Sequence, residues 1–178
     1  MNESFDIDAM VDRLRDAAAG EDAPRRVRAI IEEVVADPDL LAAAVPHYGK
    51  DVVLFEDDTV SIWYAHFDPG KMVPAHDHQM SAVIGVFRGQ ERNNFYEADG
   101  EGGLRKSSDV VLGPGDVLSI GPSAIHSVAC VSAVPCNGFH VYMGELTTVE
   151  RSLFDVKAGK RLPFDEASYA ALIGADDG

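Results

Sequence analysis

Three histidines carry the strongest chemical signal in this chain. His76 and His78 stand one residue apart in the run Gly70-Lys71-Met72-Val73-Pro74-Ala75-His76-Asp77-His78. On an extended strand, residues two apart point to the same side, so both imidazoles face one point. His126 follows a second turn-rich approach, Gly113-Pro114-Gly115-Asp116, and lies just after Pro122. Neutral imidazole ligates Zn, Fe, Ni and Cu, and a His-x-His pair plus a distant third histidine is enough to hold one ion.

These side chains need a rigid frame. The first 45 residues read as helical: Phe5, Ile7, Met10, Val11, Leu14 and Ala18 fall near helical spacing. Val27, Ile30, Ile31, Val34 and Val35 repeat that spacing after Pro24 at a first turn. Asp37-Pro38 interrupts this pattern, and Leu40 to Val45 add another turn or two. From Tyr48 onward the pattern changes to short β-rich runs separated by Gly, Pro, Asp and Asn. Nine strands are expected, at 52–55, 60–67, 75–78, 81–88, 92–97, 110–112, 117–120, 123–131 and 137–144. This spacing predicts a mainly β sandwich or barrel. Residues 98–103 form an acidic, glycine-rich loop, the chain is less regular beyond Glu150, and 165–173 close it as a helix. The whole is read as one domain, 1–178, with a helical segment 1–45, a β-barrel 46–150 and a C-terminal segment 151–178.

The composition narrows the possible functions. A net charge of −15 on 178 residues argues against nucleic acid and against anionic membranes, both of which attract basic surfaces. A bound cation can still dominate its own pocket, so an anionic substrate remains compatible. No apolar stretch approaches the roughly 20 residues that span a bilayer. The start, Met1-Asn2-Glu3-Ser4-Phe5-Asp6, has neither the basic nor the apolar part of a signal peptide. Cys130 and Cys136 form neither a CxxC pair nor a disulfide framework and read as buried reduced thiols, so a cytoplasmic protein is expected.

The ordered motifs resemble the cupin superfamily, β-barrels with an HxH motif, a PGD-type motif and a further histidine. The resemblance covers about Tyr48 to Leu146 and implies a double-stranded β-helix, the jelly-roll barrel. Most cupins place a glutamate ligand four or five residues after the second histidine. This chain has Ala82 and Val83 there. Three neutral ligands leave the charge of a divalent ion uncompensated and favour an anionic ligand such as a thiolate.

Among three-histidine cupins the chain looks like the thiol dioxygenases of the cysteine dioxygenase family. Gly70-x5-His76-x-His78 fits the first motif, and the run His78 to Gly89 is similar to its bacterial form. His140-Val141-Tyr142 matches the family's His-x-Tyr, and Tyr48-Gly49-Lys50 lies where the family has Tyr-x-Arg. The resemblance implies Fe(2+) held by His76, His78 and His126, with a small thiol and O2 as reactants and a sulfinate as product. It implies that Tyr142 aims its hydroxyl at the open face of the iron and that His140 orients it. Lys50 and Tyr48 would meet a substrate carboxylate, as in cysteine or 3-mercaptopropionate.

The chain also departs from the family. Gly138 stands where the family has a serine bonded to the histidine. Lys50 replaces arginine and offers a point charge without a planar fork. Pro122-Ser123-Ala124-Ile125-His126 is a residue shorter than the family's second motif, and no cysteine at 82 or 83 permits a Cys–Tyr crosslink. A cupin dioxygenase or isomerase for a non-thiol molecule, and a non-catalytic ligand-binding cupin, therefore stay open. The protein is expected as a monomer or homodimer.

Other residues read as structural. His66, His47 and Trp63 are assigned to packing or surface, Arg88 and Arg92 to solvent, and Asp77 to the face opposite its flanking histidines. No P-loop, nucleophile elbow or dinucleotide fingerprint is present.

Overall fold

The computed structural model describes residues 5–176. The acidic start at 1–4 and the last two residues of the expected 1–178 domain lie outside them.

Three helices come first: α1 (Ile7–Ala18), α2 (Ala23–Val34) and α3 (Pro38–Ala44). Asp6 caps α1 by accepting the Ala9 N–H at 3.1 Å, and Asp37 caps α3 by accepting that of Leu40 at 3.0 Å. Each carboxylate satisfies a backbone donor that the first helical turn leaves free. Proline in the first turn of α2 and of α3 is already set to helical φ.

Eleven strands follow among the described residues. They are β1 (Val52–Glu56), β2 (Ser61–Phe67), β3 (Met72–His76), β4 (Ala82–Arg88), β5 (Glu91–Ala98), β6 (Leu104–Leu112), β7 (Val117–Ile120), β8 (Ile125–Cys130), β9 (Cys136–Tyr142), β10 (Ser152–Asp155) and β11 (Lys160–Pro163). Helix α4 (Glu166–Asp176) ends the described chain. One sheet runs β1-β2-β9-β4-β7 and the other β11-β10-β3-β8-β5-β6, with every pairing antiparallel. The inner orders β2-β9-β4-β7 and β3-β8-β5-β6 are those of an eight-stranded jelly roll, the double-stranded β-helix. The fold is therefore mainly β with an N-terminal helical layer, as the sequence predicts. Strands β10 and β11 are additions that the irregular reading beyond Glu150 does not anticipate.

The β2-β9-β4 sheet is covered on both faces, and its alternation shows this. Ile62, Tyr64, Val83, Phe87, Phe139 and Val141 pack with Leu14, Val27 and Ile31 of the helices. The alternate residues Ala65, Phe67, Ala82, Ile84 and Val86 face the second sheet and pack with Ile120, Val128 and Cys130. Gly85 lets α2 settle on β4, because a Cβ there would run into the Ile31 side chain. Both cysteines are buried and unpaired. No helix among the described residues is long and apolar enough to cross a membrane.

Candidate metal centre

Strand register brings the histidines together. His76 ends β3 and lies directly opposite His126 of β8. His78 falls just beyond β3 and not on it, since the strand stops at His76 and the chain turns at Gln79, whose φ is +59°. All three rings still enter the space between the sheets. Their Nε2 atoms converge, with His78 Nε2 at 3.0 Å from that of His76 and 3.2 Å from that of His126. The three rings are 5% exposed or less.

This donor set fits one metal ion. Imidazole nitrogens ~2.1 Å from a shared ion and at right angles to one another lie about 3 Å apart. His76 Nδ1 donates to the Pro74 carbonyl at 2.8 Å, which leaves its Nε2 lone pair free. Burial lowers the His76 pKa to about 4. Burial first, and then the neighbouring histidines, hold His78 and His126 well below the ordinary value. All three are neutral at pH 7, the form that ligates. Among the described residues this is the one cluster of histidine, cysteine and acidic side chains with such spacing. Ala82 and Val83 are apolar and buried, so no carboxylate joins the histidines from β4.

The histidines line one side of a cavity of about 130 Å³. The opposite side comes from β2 and β9: Trp63, Ala65 and Phe67 with His140 and Tyr142. Residues 138, 140 and 142 alternate with the helix-facing Phe139 and Val141, so β9 sends its polar side chains inward. Tyr142 meets His78 edge-on with ring centroids 4.9 Å apart. Its hydroxyl is 3.4 Å from His140 Nδ1. Burial pushes the Tyr142 pKa up, so it remains a phenol. Trp63 packs in this wall as expected, with its indole N–H buried and without a partner.

Two expected carboxylate-binding residues sit elsewhere. Lys50 is exposed and does not line the cavity. Tyr48 is 36% exposed, and its ring rests edge-on against Tyr64 at 4.8 Å, on the helix-facing side of β2. The cation that does line the cavity is Arg151, which immediately precedes β10. Its guanidinium carbon stacks 3.8 Å from the centre of the Phe164 ring. No carboxylate among the described residues comes within ion-pairing distance of it, and burial lowers its pKa. Phe164 also meets His76 edge-on at 5.7 Å. No motif in the irregular C-terminal segment marked either residue. The clue was the run Arg151-Ser152-Leu153-Phe154, with its short apolar strand.

Glu91 carries no sequence motif either. It is 1% exposed, and its Oε2 accepts from His140 Nε2 at 3.0 Å. Its Oε1 accepts from Asn93 Nδ2 at 2.8 Å, and Asn93 Oδ1 lies 2.8 Å from His126 Nδ1. Polar residues at alternate positions, 91 and 93, after the Gly89 turn were the available signal. Gly138 holds no hydroxyl for His140, and a Cβ there would lie 2.6 Å from the Gly85 carbonyl oxygen. His66 turns to the other face of β2, where Asn137 Nδ2 donates to it at 2.9 Å.

No protein-family model matches the chain. Among solved structures it is similar to a cupin superfamily protein from Desulfitobacterium hafniense, at 18% identity over 59% of this chain and 88% of that one, with a TM-score of 0.47. It is also similar to an uncharacterized conserved protein with a double-stranded β-helix domain from Klebsiella pneumoniae subsp. pneumoniae, at 18% identity over 61% and 87%, TM-score 0.44. A third is an oxalate oxidase in complex with the substrate analogue glycolate, at 18% identity over 55% and 53%, TM-score 0.43.

Proposed function

We propose that this protein is an Fe(II)-dependent thiol dioxygenase that converts a small, carboxylate-bearing thiol to its sulfinate. The observation that carries the reading is one small cavity lined by three neutral imidazoles and, next to them, by the Arg151 guanidinium, which forms no ion pair among the described residues. His76, His78 and His126 would hold the ion. A ferrous ion bound there would supply the redox chemistry for oxidation of sulfur by dioxygen. Three neutral imidazoles with no carboxylate beside them would leave the charge of such an ion to an anionic sulfur.

The chain's own residues account for binding. Arg151 is the carboxylate anchor, in the role that the family resemblance implies for Lys50 and Tyr48. A guanidinium offers two parallel N–H donors to a carboxylate, and Phe164 holds its plane. The apolar walls Ala65, Phe67 and Val128 limit water beside the reacting sulfur. Tyr142, kept as a phenol, presents a hydroxyl beside His78, and His140 fixes its direction. The net reaction is balanced as thiolate plus O2 giving sulfinate: two S–O bonds form, the O–O bond breaks, and the four electrons lost by sulfur reduce dioxygen.

The test is anaerobic loading with Fe(II), followed by oxygen uptake against cysteine, 3-mercaptopropionate, mercaptosuccinate and cysteamine. Uptake with a carboxylate-bearing thiol, and sulfinate formed in equal amount, is the expected result. Bound iron with no thiol-dependent uptake across the panel sinks the assignment. A preparation rich in Mn, Ni or Zn that turns over a non-thiol acid would move the reading to another cupin metalloenzyme.

A further inference from the structure

We propose that Glu91 is a positioning residue that sets which nitrogen carries the proton in two histidines at once, the metal ligand His126 and the tyrosine partner His140. The inference rests on reading His126 as a ligand. It does not depend on the thiol chemistry.

The argument is one of donors and acceptors. Glu91 lies between the sheets at 1% exposure, beside Asn93 at 0% and His126 at 1%. His140 and Tyr142 are also buried, so bulk water does not replace any link in this chain. A carboxylate only accepts hydrogen bonds. Glu91 Oε1 therefore takes an N–H from Asn93 Nδ2, at 2.8 Å. That fixes the Asn93 amide with Oδ1 towards His126 Nδ1, at 2.8 Å. An amide oxygen also only accepts, so His126 carries its proton on Nδ1 and presents a bare Nε2 to the metal position. On the other arm, Oε2 takes the N–H of His140 Nε2 at 3.0 Å, which leaves Nδ1 to the Tyr142 hydroxyl. One carboxylate on β5 thus prepares a ligand on β8 and a phenol on β9. Gly138 offers His140 no side chain, and Glu91 supplies the partner from the opposite sheet.

A substitution that keeps shape but changes this pattern isolates the effect. In Glu91→Gln one end of the side chain becomes a donor. Either Asn93 must flip and drive the His126 proton onto Nε2, or the His140 proton must leave Nε2. The paired change Glu91→Gln with Asn93→Asp restores every link. The amide introduced on β5 donates to the new carboxylate, which again accepts from His126 Nδ1, and the amide oxygen accepts from His140 Nε2.

The experiment is long-range 1H–15N NMR of metal-free protein labelled at histidine, with Co(II) affinity measured against a competing chelator. Metal-free wild type is expected to carry protons on His126 Nδ1 and His140 Nε2. In Glu91→Gln at least one of the two is expected to move, and where His126 is the one, Co(II) affinity falls about 10- to 100-fold. The paired variant returns both protons and the wild-type affinity. Any other pattern in wild type, unchanged protons in Glu91→Gln, or no recovery in the paired variant overturns the proposal. The wild-type reading needs no variant to fold. No readout uses a thiol, so its failure and a failure of the oxygen-uptake test are separate results.

Discussion

Asp77 and Ser152 are joined twice: the Asp77 carboxylate accepts the Ser152 N–H at 2.8 Å, and the Asp77 N–H donates to the Ser152 carbonyl at 3.2 Å. The residue between the two histidines of the His-x-His pair thereby holds the start of β10, next to Arg151. Gln79 Nε2 donates to the same carboxylate at 2.7 Å. The loop that carries His78 and the segment that carries Arg151 are pinned as one unit.

Breaking that joint should loosen both parts. Asp77→Ala is expected to cost about 1.5–3 kcal/mol, the range for a hydrogen bond to a charged group, measured by urea unfolding. Asp77→Asn keeps an acceptor and should cost less. If Asp77 served only as a surface charge, both variants would unfold with wild-type midpoints.

Arg151 should separate substrates by charge. Arg151→Gln is expected to raise KM for 3-mercaptopropionate about 10- to 100-fold, the loss of one charged hydrogen-bond pair. Cysteamine, which has no carboxylate, should be unaffected, and the iron content should not change. Arg151→Lys should recover only part, since an ammonium lacks the planar fork. Equal losses for both thiols would remove Arg151 from carboxylate recognition.

Tyr142→Phe keeps the ring against His78 and deletes the hydroxyl. The expected outcome is a kcat lowered roughly 10- to 100-fold with full iron occupancy, read by single-turnover kinetics and metal analysis. Loss of iron instead would place Tyr142 among the groups that hold the metal.

Gly138→Ser would install the hydroxyl that the family resemblance places beside the histidine. Its Cβ would stand 2.6 Å from the Gly85 carbonyl oxygen. That oxygen belongs to the backbone of β4 and cannot rotate away. An overpacking cost of about 1–3 kcal/mol is expected, seen as a lower Tm at roughly 2–4 °C per kcal/mol. A variant as stable as wild type would show that β4 and β9 can separate at this point.

The buried histidines should make the metal-free protein acid-sensitive. The folded pKa of His76 lies near 4 because of burial, below its ordinary value of 6.5. Between those values the unfolded chain binds the proton and the folded chain does not, so stability falls as pH drops from about 6.5 to about 4. His76 alone accounts for roughly 3 kcal/mol across that window. His78 and His126 act in the same direction. Above pH 6.5 these groups add no slope. Urea midpoints across a pH range of about 4–8, with and without saturating Zn(II), are the check. A midpoint flat between about pH 4.5 and 6.5 in the metal-free protein would contradict neutral burial.

The sequence by itself determined whatever follows from local period. Short β-rich, largely apolar runs such as 61–67 and 82–88 mark strands buried on both faces, and the stripe Val27, Ile31, Val35 marks a helix with one apolar side. The His76-x-His78 spacing is legible too, although the strand that motivates it ends at His76. The segment after Glu150 carries two four-residue strands that are held by pairing with each other and with β3, a long-range partner that the local pattern does not show.

Only the tertiary structure decided what meets across the cavity. His126 faces His76 through the register of β3 and β8, a pairing between residues 50 positions apart that no local pattern contains. Glu91 reaches His140 because β5 and β9 lie in opposite sheets that close on each other. Arg151 lines the cavity next to Ser152, which Asp77 holds, while Lys50, which the family resemblance implies at a substrate carboxylate, is exposed. Side-chain direction is set by neighbouring bonds and can be read residue by residue. Side-chain company is set by long-range strand pairing and burial, which act only once the chain has folded.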